Sequence, residues 1–229
     1  MRATTLLGVT AVAAVLGGAA DRLHARRTAQ PATSAPAVAA PLAQLGLYLD
    51  GFHRRDGHPD DQMRAIHYCA QRTADLIQCA LFDGTGADAK LIGIEYVVTE
   101  SALARLPEHE RALWHSHAYE VTSGQLVAPG LSAADEHALM EKIAHTYGKT
   151  WHTWDTTQPL PLGRPELMMS FTADGQARPG LTDARDEALG ISAPEIRARR
   201  ADIHPPPLLP GVDRGEEGES CAGPGGECR

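Results

Sequence analysis

The chain of 229 residues is poor in the signatures that usually betray an enzyme. It has no nucleophile-elbow GxSxG, no Gly-rich phosphate loop, no dinucleotide GxGxxG fingerprint and no Ser-His-Asp order. That excludes the common hydrolase, nucleotide-binding and dehydrogenase templates. It has four cysteines and no CxxC pair, which argues against a structural zinc ribbon. No Lys/Arg cluster interleaved with aromatics is present, and the formal net charge is -8. Nucleic acid is therefore a poor partner, as is an anionic lipid surface bound by charge alone. No internal repeat appears.

What is present falls into four zones. Ala3 to Ala20 is an uncharged Ala/Val/Leu-rich run behind Arg2, which reads as a secretory signal or a membrane anchor over residues 1–20. Gly18-Ala19-Ala20 offers a small-residue cleavage site, although Arg22, Arg26 and Arg27 follow where positive charge is disfavoured. Residues 21–41 read as an Ala/Pro-rich linker. Residues 42–200 are long enough for one domain with its own core. Residues 201–229, from Pro205-Pro206-Pro207 into a Gly/Glu-rich end, have the composition of a disordered tail. The leader implies an exported or membrane-anchored location in the periplasm or cell envelope; without it the chain would be cytoplasmic.

Inside the domain, Met63–Cys69 and Leu76–Phe82 read as strands of a hairpin, and Leu91–Thr99 as the clearest strand. Short helices are expected after Ser101 and from Pro107 to Leu113. His115–Val121 and Gln125–Val127 read as a hairpin around Ser123-Gly124. Ser132–Tyr147 reads as the best helix, stopped by Gly148. Lys149–Asp155 and Leu167–Phe171 follow as strands, and Thr182–Leu189 and Pro194–Arg200 as terminal helices. The sum is an α+β single domain, a mainly antiparallel sheet with flanking helices.

The densest chemistry lies in Leu113-Trp114-His115-Ser116-His117-Ala118-Tyr119-Glu120. On a strand, His115 and His117 share a face and can offer two metal ligands. Glu120, three residues on, falls on the other face unless the strand is bulged. Ser116 points away from both histidines, so neither can activate it. Glu95 is the only charge in Leu91–Val98, and a buried carboxylate needs a partner or a metal. His67 and His152 lie in neighbouring strand candidates. His67, Glu95, His115, His117, Glu120 and His152 thus form a candidate polar or metal site for zinc or iron. A polar network lining an apolar-ligand pocket, or a purely structural network, fits the same residues. His137, Glu141 and His145 form one helix face and read as solvated, as do His53, His58 and His109 in polar loops. Cys69 and Cys79 would sit opposite each other in a symmetric hairpin, either as a disulfide or as two buried thiols. Cys221 and Cys228 could close a small loop in the tail.

Several of these segments carry a family resemblance. His67-Tyr68-Cys69, Gln78-Cys79-Ala80, Leu91-Ile92-Gly93-Ile94-Glu95-Tyr96 and Leu106-Pro107-Glu108 occur in order. The Leu113–Glu120 stretch, Ser123-Gly124, Tyr147-Gly148-Lys149, Leu160-Pro161-Leu162-Gly163 and Leu167-Met168-Met169-Ser170 follow. Together they resemble the oil body-associated protein family, a family with a domain of unknown function, from about Gly46 to Ser170. The resemblance implies a non-enzymatic protein at a lipid or membrane interface. It supplies no catalytic residue or cofactor. The leader and linker differ from the plant pattern and suggest a bacterial relative of the cell envelope.

Overall fold

The structure is a computed structural model and describes residues 40–215. The leader, nearly all of the linker and the Cys221/Cys228 pair lie outside the described residues. After a short helical turn α1 (Ala40–Ala43), the chain forms strands β1 (Leu47–Arg55), β2 (His58–Thr73), β3 (Leu76–Phe82) and β4 (Leu91–Thr99). Helical turns α2 (Glu100–Leu103) and α3 (Glu108–Arg111) lead to β5 (His115–Ser116) and α4 (Ala118–Thr122). Then come α5 (Ala133–Ile143), β6 (Thr146–His152), β7 (Glu166–Met169), α6 (Leu181–Leu189) and α7 (Ala193–Arg199).

The sheet runs β4-β3-β2-β1-β7-β6, and β6 returns to pair with β4. All these pairings are antiparallel, so six strands close into a barrel. Closure removes the free edges that an open sheet would expose. The expected antiparallel α+β domain is present in this more specific form. β6 makes closure possible by dividing one edge: His115 and Ser116 of β5 pair with Gly148 and Tyr147, while Thr150 to His152 pair with β7.

Side-chain alternation separates two cores. Leu49, Ala65, Cys69, Cys79, Leu81 and Val97 belong to a cluster that extends to Met140 and Ile143 of α5. Outside β4 and β6, Tyr96 and Val98 pack with Leu103, Trp114, Tyr147 and Val212. A disulfide joins Cys69 and Cys79, whose Cα atoms are 4.0 Å apart across the β2–β3 ladder.

Four sequence expectations differ from the structure. β1 was not anticipated, because Asp50-Gly51 interrupts its apolar pattern; yet Asp50 is buried and receives two hydrogen bonds from Arg64. The expected hairpin at 115–127 is replaced by two residues of strand and the helical turn α4. The long helix stops at Ile143, where Thr146 Oγ1 donates to the Ile143 carbonyl, and Gly148 lies inside β6 instead of ending a helix. Beyond Arg200 the chain stays on the domain as far as Gly215. Asp213 N donates to the Trp114 carbonyl and Gly215 N to that of Ala112, where composition alone suggested disorder.

Candidate functional site

All six sequence candidates are buried in one region of the barrel, and a seventh residue, His53, joins them. β1 carries His53, β2 His67, β4 Glu95, β5 His115 and β6 His152. His117 and Glu120 come from the start of α4, where an offset of three residues is nearly one turn. The helical turn therefore brings Glu120 to the side that a regular strand would have denied it. His53 corrects the solvated reading: on β1 it alternates with Leu49 and Gly51, and it is 2% exposed. The period of two in Leu49-Gly51-His53 was the available signal. His58 and His109 remain exposed, and so do Glu141 and His145.

Glu95 is the hub. Its Oε2 lies 2.9 Å from His67 Nε2, and its Oε1 lies 3.2 Å from both His115 Nε2 and His117 Nε2. His53 Nδ1 and His152 Nε2 are 3.0 Å apart, so His152 is one step removed from the carboxylate. One ligand atom each from His53, Glu95 and His115 lies within 4.8 Å of the others, and the same is true of His115, His117 and Glu120. Gly148 makes this crowding possible. A Cβ there would overlap Glu95 Oε1 and come within 2.5 Å of His115 Nε2.

The titration directions follow from burial and neighbours. Burial pushes the Glu95 carboxyl up, but the imidazoles of His115, His117 and His67 hold it well below the ordinary carboxylate range. Burial, reinforced by the Glu95 charge and Asp213, lifts Glu120 well above its usual value. Burial depresses His117, and burial with His67 and His152 depresses His53 strongly. Burial and His67 bring His152 down to about 4. Both carboxyls thus share one buried chamber in which burial holds His53, His117 and His152 towards their neutral forms.

The space left in this chamber is small. The cavity lined by His53, His67, Glu95, His117 and Glu120 measures about 10 Å³, the room of about one water or an ion. Larger cavities lie elsewhere. One of about 540 Å³ is lined by Val127, Leu131, Leu189, Ile191, Ile196 and Arg200. Another, of about 180 Å³, includes Arg55, Trp154, Leu162 and Arg164.

A second buried polar centre escaped sequence reasoning. Arg185 and Arg200 are 1% and 2% exposed. Arg185 donates to the carbonyls of Gly124 and Gln125 and to Asp186, and lies over the Phe52 ring at 5.1 Å. Arg200 donates to the carbonyls of Val121 and Leu126 and pairs with Glu136. Both hold the segment that follows α4. Single arginines in amphipathic helices carry no sequence signal that separates them from surface residues.

The family model for DUF1264, a protein family of unknown function, matches residues 39–204. Oil body-associated protein 1A of Zea mays is 42% identical over 169 residues, covering 73% of this chain and 71% of the relative. Oil body-associated protein 2A of Zea mays is 41% identical, covering 72% and 68%. Oil body-associated protein 1B of Arabidopsis thaliana is 37% identical over 179 residues, covering 77% and 74%. These relatives are plant proteins, and they give the expectation of a bacterial relative no support. No solved structure matches. Among the described residues, no helix is long and apolar enough to cross a membrane.

Proposed function

The chain belongs to the DUF1264 family, and on that footing we propose that it is a non-enzymatic protein acting at a lipid–water interface. The observation that carries this reading is the loop between β6 and β7. In Gln158-Pro159-Leu160-Pro161-Leu162-Gly163, Leu160 and Leu162 are 63% and 66% exposed. Two adjacent exposed leucines in a proline-stiffened loop contribute nothing to the core and cost free energy in water. Trp154 lies in the same loop, with Lys90 over its ring at 5.8 Å. Arg55 and Arg164 line the neighbouring cavity beside Asp61, Asp155 and Glu166, and Arg55 pairs with Asp61. Leucines to insert and a tryptophan for the headgroup layer form the pattern of an interfacial anchor. The names of the relatives, oil body-associated proteins, agree with it. The small chamber at Glu95 favours a non-catalytic role, because its room of about 10 Å³ holds no organic substrate beside the carboxylate.

The test uses the full chain and a chain beginning at Ala40, which retains the whole barrel. Each is floated with phospholipid-coated triacylglycerol droplets. Leu160→Ser/Leu162→Ser should reduce droplet binding several-fold in the chain from Ala40. Equal binding by the variant removes the loop from the mechanism, and no binding by the parent chain sinks the interface reading of the barrel.

A second reading, a small-ligand-binding module, is favoured by the apolar cavity of about 540 Å³, which suits an acyl chain. Displacement of a fluorescent fatty acid, abolished by Leu131→Trp, would establish it. We place the chain in an exported or anchored setting as part of the proposal. The Cys69–Cys79 disulfide supports an oxidising compartment.

A further inference from the structure

With neutral imidazoles, the hydrogen-bond donors around Glu95 do not balance. His67 Nδ1 faces the Ala65 carbonyl at 3.1 Å. A carbonyl only accepts, so Nδ1 carries a proton, and in the neutral ring Nε2 is a lone pair. His117 Nδ1 faces Thr146 Oγ1 at 2.9 Å, and that hydroxyl already donates to the Ile143 carbonyl. His117 Nδ1 is therefore also the donor, and its Nε2 is bare. His152 Nδ1 meets the Met63 sulfur, an acceptor, so its Nε2 accepts from His53 Nδ1 and leaves His53 Nε2 bare. The outer atoms thus assign the tautomers of four histidines the same way.

The consequence falls on Glu95. The bare Nε2 atoms of His67 and His117 face its oxygens at 2.9 and 3.2 Å. Neutral imidazoles in this tautomer would press lone pairs against a carboxylate. His115 adds a third nitrogen at 3.2 Å, and neither of its ring nitrogens has a hydrogen-bond partner. Thr150, the cross-strand neighbour of Glu95, is also wholly buried, with an unpartnered hydroxyl. Glu120 brings a second carboxyl, and among the described residues no lysine or arginine pairs with either glutamate. A cation of charge two would neutralise both carboxylates and accept the bare nitrogens together.

We propose that Glu95, His115, His117 and Glu120 bind one divalent late first-row metal ion of the Zn²⁺ class, with His67 and Thr146 as positioning residues. Ligands 2.0–2.1 Å from a tetrahedral ion lie roughly 3.3 Å from one another. Glu95 Oε1 lies 3.2 Å from both Nε2 atoms, and His115, His117 and Glu120 offer atoms within 4.8 Å of one another, so the ion would draw the four together from two overlapping groups. Imidazole nitrogens favour Zn²⁺ and its neighbours over Mg²⁺ and Ca²⁺, which take oxygen. His117, whose other ring nitrogen faces Thr146 Oγ1, has the outer partner that metal ligation uses to fix a ring, whereas both nitrogens of His115 are free to turn towards the ion. All four ligands come from the protein in a closed chamber, so the ion is structural: it ties β4 to the β5–α4 segment and enters as the chain folds.

The experiment is elemental analysis of the full chain, purified without a histidine tag or chelator. About one equivalent of metal per chain is expected, falling to near zero in His115→Ala and in Glu95→Gln. Because either variant can misfold, the wild type is also unfolded with chelator and refolded with and without Zn²⁺ or Co²⁺. A higher thermal midpoint with Zn²⁺, and the visible absorption of four-coordinate Co²⁺, are expected. A metal-free chain that folds natively and melts identically with excess Zn²⁺ or chelator overturns the proposal, leaving shared protons among the rings. Full metal retention by His115→Ala overturns the site.

Discussion

The barrel holds two buried polar centres, and they are built on opposite accounts. Around Arg185 and Arg200, fixed cations meet backbone carbonyls and one carboxylate each, so the donors point at groups that can only accept. Around Glu95, a fixed anion meets histidines whose outer nitrogens face acceptors, so as neutral rings they would point lone pairs at the carboxylate. Both centres are buried. The first pairs each guanidinium with a carboxylate and fastens the segment after α4, with Arg200 Nε left without a hydrogen-bond partner. The second is complete only with added positive charge. Burial therefore does not distinguish a structural polar cluster from a binding centre, whereas the count of donors against acceptors does.

The largest expected break is at the arginine centre. Arg185→Leu leaves two carbonyls unpaired in the interior and Asp186 with only the Ala193 N–H as donor, and should cost about 3–5 kcal/mol in urea unfolding. That loss should be equal with and without Zn²⁺; a loss that depends on metal would merge the two centres into one. Gly148→Ala strikes the other centre. Its methyl would overlap Glu95 Oε1, and about 2 kcal/mol of destabilisation is expected from overpacking, with loss of bound metal. Calorimetric melts with and without Zn²⁺ check both parts.

Acid separates the centres next. The His152 value of about 4 in the folded chain lies below its ordinary 6.5, so the unfolded chain takes the proton first. Stability is then full above about pH 6.5 and is lost as pH falls towards 4, by up to about 3 kcal/mol. Between pH 7 and 5 His152→Gln should flatten the decline in unfolding free energy by about 2 kcal/mol. The guanidinium centre adds no slope there. An unchanged slope in the variant would show that His152 is not held neutral in the fold. The smallest effect belongs to the surface: Leu160→Ser/Leu162→Ser should move stability by less than about 0.5 kcal/mol while droplet binding falls. A large loss of stability would mean that the loop belongs to the core.

The sequence by itself determined the strands β3 and β4, because short, mostly apolar runs bounded by turn residues leave no competing pattern. It determined that Glu95 must be partnered, because a lone carboxylate in an apolar run is too costly to bury alone. It set Cys69 opposite Cys79 on the condition of a symmetric hairpin, and the β2–β3 register meets that condition. It could not reveal β1, whose Asp50 is buried only because Arg64 lies across the ladder from it. His53 was hidden because it depended on that strand, and Glu120, already a candidate, is brought to the histidines by a helical turn where alternation suggested a strand. Gly148 carries the clearest ambiguity. A glycine after an amphipathic helix is a normal stop signal, and only the closing of β6 between β4 and β5 gives it the task of making room for a carboxylate and an imidazole. Tertiary structure decided barrel closure, the burial of two arginines and the tautomers of four histidines. Each depends on which atoms meet across long sequence separations, and local periodicity carries no information about those meetings.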